Sequence, residues 1–147
     1  MHKYLLILFF LQFSSANAEL FEDKNTFCGI DIRTGTFKPE GFTVVEDQSP
    51  YLMVYSNLYM GWKTLVRVPD SKIQSIYAIK TLKINEAEAE SLKGTYTAKM
   101  ESIYNQKSEC SENKLPGSPQ VKTCLIKYEN RLIYVSLAPE KNDEWSI

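Results

Sequence analysis

Three cysteines and an almost complete lack of histidine set the chemistry open to this chain. Cys110 and Cys124 bracket the polar stretch "SECSENKLPGSPQVKTC", and Cys28 lies far upstream in "TFCGIDI". Pro116, Gly117 and Pro119 between the first two are loop residues. In an oxidising compartment two such thiols are most simply read as a disulfide. It would close a loop of roughly 15 residues and stabilise the fold by about 3 kcal/mol through restriction of the unfolded chain. Structural zinc asks for four ligands, commonly closely spaced cysteine pairs or histidines, and this spacing offers neither. Cys28 is then the free-thiol candidate. Between Phe27 and Ile30 it reads as a small buried hydrophobe, with an intermolecular disulfide, or pairing to Cys110 or Cys124, as rivals.

The only histidine is His2, inside a stretch expected to be removed. Ser-His-Asp and Cys-His nucleophilic sites, and histidine-based zinc hydrolysis, are therefore excluded in their usual form. There is no C-x-x-C, no EF-hand loop and no glycine-rich phosphate cradle, so no metal and no cofactor is expected. Carboxylates could still drive glycoside hydrolysis. The best local set is "NEAEAESLKG", where Glu86 and Glu90 share a helical face. A structural reading is stronger: Asn85 caps a helix over 86–93, Glu88 completes a capping box, and Gly94 stops it. The expectation is a chain without a catalytic site. Its candidate contact residues lie in "SPYLMVYSNLYMGWK", where Tyr51, Tyr55, Tyr59 and Trp62 stand among small polar residues, as in protein-binding loops. Core packing is the alternative, chiefly for Tyr51 and Tyr55.

The elements that must position these residues read mostly as strands. "FTVVE" and "YLMVYSN" flank Ser49-Pro50. "WKTLVRV" alternates, with Trp62, Thr64, Val66 and Val68 on one face. "IYAIKTLKI" is read as a strand, and "TYTAKMESIY" as a further strand after the stop at Gly94, although one helix from Asn85 to Gln106 competes with that reading. "VKTCLIKY" and "RLIYVSL" form a hairpin about Glu129-Asn130. Trp145, in a charged tail, either packs back or hangs loose. The fold class is mainly β (α+β): a single antiparallel sheet, small barrel or sandwich with one short helix, stapled by a disulfide.

Residues 1–18 have a basic start, the apolar run "YLLILFFLQF" and Ala16 and Ala18 in A-x-A spacing. That is the layout of a secretory signal peptide cleaved at Ala18–Glu19. Its apolar run is too short to span a bilayer, and no later stretch is apolar enough. The exported β-rich domain is then 19–147, with 16 Lys and Arg against 18 Asp and Glu, since Lys3 leaves with the leader. A net charge of −2 with interspersed signs gives no case for nucleic acid or anionic membrane as partner. The function expected is that of a small periplasmic or secreted binding protein, of the class of inhibitors and immunity proteins. It would occlude a partner protein with a loop bearing Tyr59 and Trp62. The alternative is a module binding an apolar ligand or glycan, and a carboxylate-based enzyme ranks third.

Overall fold

The computed structural model describes residues 20–49, 51–113, 116, 120–140 and 144–147. The leader expected at 1–18 and its expected cleavage point lie outside them. The chain opens with three short strands, β1 (Phe21–Asp23), β2 (Thr26–Phe27) and β3 (Ile30–Asp31), paired antiparallel in that order. Cys28 and Gly29 make the β2–β3 turn with φ of 51° and 72°. Positive φ at both central positions gives the primed turn that suits the right-handed twist of a hairpin. Cys28 thus sits in a turn rather than a strand, yet it is buried.

A four-stranded meander follows: β4 (Thr43–Gln48), β5 (Leu52–Tyr59), β6 (Trp62–Val68) and β7 (Ser75–Ile79). Met60 and Gly61, with φ of 50° and 81°, repeat the same kind of turn between β5 and β6. Alternation in β6 is complete: Trp62, Thr64, Val66 and Val68 are buried, while Lys63 and Arg67 are exposed. The segment 33–42 closes the inner face at one end, where Phe37 packs on Phe42 and Tyr55.

After β8 (Thr81–Leu82) comes the helix α1, Glu86–Tyr104. Its start is as the sequence indicates. The Asn85 side chain accepts from Glu88 N at 2.9 Å, and Glu88 returns a carboxylate to Asn85 N at 3.1 Å. Its length corrects the expectation of a stop at Gly94 followed by a strand. The helix runs on for ten residues and ends at Asn105, which takes the left-handed conformation with φ 50°. Glycine in a helix is unfavourable by only about 1 kcal/mol. Tyr96, Met100 and Tyr104, all buried on one face, outweigh it.

The second meander is β9 (Glu109–Asn113), β10 (Val121–Tyr128) and β11 (Arg131–Pro139), with the Glu129-Asn130 hairpin where the sequence puts it. Trp145 does not hang loose: it begins β12 (Trp145–Ser146), which pairs with β11 on one side and β8 on the other. Lys80 and Ile147 exchange both backbone hydrogen bonds, at 2.9 and 3.0 Å. The strands therefore form three antiparallel sheets, of three, four and five strands, and do not close into a barrel. β7 and β8 are separated only by Lys80, so β12 stitches the four-stranded sheet to the five-stranded one. The helix packs on the inner side of the five-stranded sheet and meets the four-stranded one at Trp62. Met100, Tyr96 and Tyr104 join Trp62 from one sheet and Ile126 and Val135 from the other, with Leu20 ahead of β1 and Cys28 from the β2–β3 turn.

Candidate functional site

Because the core gathers the inner faces of both large sheets, register assigns the opposite face of each strand to solvent. In the four-stranded sheet that face carries Glu46, Val54, Arg67 and Ser75 in one row, of which Val54 and the Ser75 hydroxyl are covered and Glu46 and Arg67 exposed. The next is Ser56, Leu65 and Tyr77, and the one after is Leu58, Lys63 and Ile79. In the five-stranded sheet it carries Leu125 opposite Tyr134 and Lys127 opposite Leu132. The two halves meet where the rings of Tyr77 and Tyr134 lie 6.4 Å apart. An antiparallel sheet with one wet side normally alternates apolar-in with polar-out. Here the outward positions hold leucine, isoleucine and tyrosine. Leu58 is 76% exposed, Leu132 66% and Tyr134 44%.

The cations on this face, Lys63, Arg67 and Lys127, are all exposed. Arg67 also bears on the tyrosine pair. Ser75, with help from Tyr134 and the Arg67 guanidinium, brings the Tyr77 phenol below the usual tyrosine pKa despite partial burial, so that it ionises more readily. Tyr134 goes the other way, pushed up to about 12 by burial and by its neighbour Tyr77. The phenol of Tyr134 is thus a hydrogen-bond donor across the physiological range. At the same end, Met60 joins Leu58 as an exposed apolar residue on the β5–β6 hairpin. A turn of this geometry favours Asn-Gly, so methionine there is neither the locally preferred residue nor shielded from water.

The residues singled out from sequence fall in different places. Trp62, expected on a contact loop, is 6% exposed, stacked edge-on against Tyr96 at 5.2 Å with Lys80 Nζ 5.6 Å from its ring. Its alternation with Thr64, Val66 and Val68 already placed it inward. Tyr59, its cross-strand partner, packs on the core, and Gly29 gives it room: a Cβ at Gly29 would lie 3.0 Å from Tyr59 Cε2. Tyr55 is half-buried against Phe37. Tyr51 is 78% exposed, but it precedes β5 and so stands at the opposite end of that strand from Leu58. The four do not form one surface. Leu58, Leu132, Tyr77 and Tyr134 were missed because their shared face depends on β12 joining strands distant in sequence.

Cys110 and Cys124 are bonded, as direct cross-strand partners on β9 and β10. Cys28 is a free, buried thiol pushed up to about 12 by desolvation, which the neighbouring Thr64 hydroxyl offsets only in part. The carboxylates Glu86 and Glu90 are engaged by Lys122. No cluster of metal-ligating side chains occurs among the described residues, and no helix there is long and apolar enough to cross a membrane. Comparison with protein families, curated proteins and solved structures returns no match.

Proposed function

We propose that this chain is an exported binding protein that occludes a partner protein, docking it on the solvent side of the two stitched sheets. The observation behind this reading is the run of leucine, isoleucine and tyrosine at outward positions, with Leu58, Leu132 and Tyr134 in water. Exposed apolar side chains gathered on one face and rimmed by charge mark interaction surfaces. The charges on this face are of both signs, Lys63, Arg67 and Lys127 with Glu46 and Glu109, so the fitting partner presents an apolar patch edged with complementary charges. The hairpin initially expected to enter the partner keeps a part in this reading, with Leu58 and Met60 in place of Trp62. A ligand held inside a barrel finds no support, because the sheets do not close and α1 covers the inner side of the five-stranded one. A glycan on the Tyr77–Tyr134 rings beside Arg67 is the second reading, favoured by that aromatic pair alone.

The test is affinity capture from envelope extract with residues 19–147, followed by titration of the captured protein. Leu58→Asp and Leu132→Asp each are expected to weaken binding about 30-fold, corresponding to about 2 kcal/mol, with an unchanged far-ultraviolet circular dichroism spectrum. Undiminished binding in both variants would remove the docking face. Saturable binding to a glycan array, lost in Tyr134→Ala, would select the second reading.

A further inference from the structure

The two halves of the disulfide sit in unlike surroundings. Cys110 lies on β9, the outer strand of its sheet, and is exposed, with Ser108 Oγ 3.7 Å from its sulfur. Cys124 lies on β10, between β9 and β11, and is buried. The Lys93 ammonium of α1 points at it, Nζ 3.2 Å from Sγ. A cleft of about 250 Å³ opens beside the bond, lined by Glu90, Lys93, Cys110, Ser111, Glu112 and Lys122. The charges facing it are distinct in role. Lys122 is taken up by Glu90 and Glu86, and Glu112 by Gln120, so Lys93 is the cation directed at the sulfur.

We propose that Cys110–Cys124 is a reactive disulfide that takes an external thiolate, from a small thiol or a partner's cysteine, at Cys110. The incoming sulfur attacks Cys110 Sγ from the cleft. The Cys110–Cys124 bond breaks, a mixed disulfide forms on Cys110, and the bonding pair leaves on Cys124 as thiolate. A second thiol then attacks the mixed disulfide, so that two external thiols become one disulfide and the protein gains a dithiol. Alternatively, Cys124 attacks back and expels the first thiol. The direction of opening follows from access and from the leaving group. Exchange is faster when the departing sulfur is the better-stabilised thiolate, and an adjacent ammonium stabilises it. Burial opposes the charge on Cys124 and Lys93 favours it, so Lys93 is the residue that decides the rate. This site is on the helix side of the sheet and does not depend on the docking face proposed above.

Reduced glutathione is the probe. The oxidised mature protein is mixed with it, quenched in acid at intervals and mapped by peptide mass spectrometry. The expected product carries glutathione on Cys110, while Cys28 stays unmodified as an internal control. Lys93→Met is expected to slow opening about tenfold and Lys93→Arg to restore it. In Cys110→Ser, the ultraviolet thiolate signal of Cys124 is expected at lower pH than in the same variant with Lys93→Met. Glutathione on Cys124, no adduct at all, or equal rates with and without the lysine would each overturn the proposal. The adduct position is read on the unmutated chain, so it stands even if a variant folds poorly.

Discussion

Cys28 illustrates how burial governs a single residue. In the unfolded chain a thiol ionises at about 8.5. In the fold, desolvation holds its proton until about 12. The unfolded state therefore loses the proton first as pH rises. The stability this residue contributes is whole below about pH 8.5 and is lost on the way to 12. Between about pH 8 and pH 10.5, the wild type is expected to lose about 2 kcal/mol more unfolding free energy than Cys28→Ala, read from urea transitions. Tyr96 and Tyr104, both raised by burial, act in the same direction and remain in both proteins, so the difference isolates the thiol. Equal alkaline slopes would show that the thiol ionises freely. The residue types told much of this in advance: a thiol among apolar neighbours reads as buried, and two thiols around a loop read as bonded. Trp62 was the misleading one, since aromatic character alone does not tell an anchor from a core residue.

The elements were legible where local signals agreed. Alternation in β6, the Glu129-Asn130 turn and the capping box at Asn85 each combine a spacing with a residue preference, and each stands in the fold. The helix end was not legible. Gly94 and the β-prone "TYT" spoke locally for a stop, whereas the burial of Tyr96, Met100 and Tyr104 is a tertiary fact. Gly94 is exposed, and a Cβ there would meet nothing within 4 Å. Gly94→Ala is therefore expected to stabilise the protein by about 1 kcal/mol, seen as a higher urea midpoint at unchanged slope. No gain would mean that the glycine serves a contact outside the chain.

At the scale of the molecule, one short strand decides the architecture. β12 offers two residue pairs to β11 and two to β8, and Ile147 packs on the core beyond it. Nothing in the local pattern of "EKNDEW" announces this, and the solvent face that spans both sheets was hidden for the same reason. Deleting residues 145–147 is expected to lower stability by about 3 kcal/mol, from lost ladder bonds and the uncovered apolar surface. Hydrogen exchange should quicken along β7 and β11, and Tyr77 and Tyr134 should part, taking partner binding with them. Retained exchange protection in those strands would show that the sheets hold together without the stitch.

That stitch also sets an order of events in time. Thr81 bonds Ser146 across 65 positions of sequence, so β8 is made long before the strand that completes it. As the polypeptide emerges N-terminus first, the first meander and the helix precede their closing partner, and long-range strand pairing is the slow kind. A chain made in that order keeps its two large sheets unlocked until Trp145–Ile147 arrives, so whatever meets it earlier meets two halves rather than one fold.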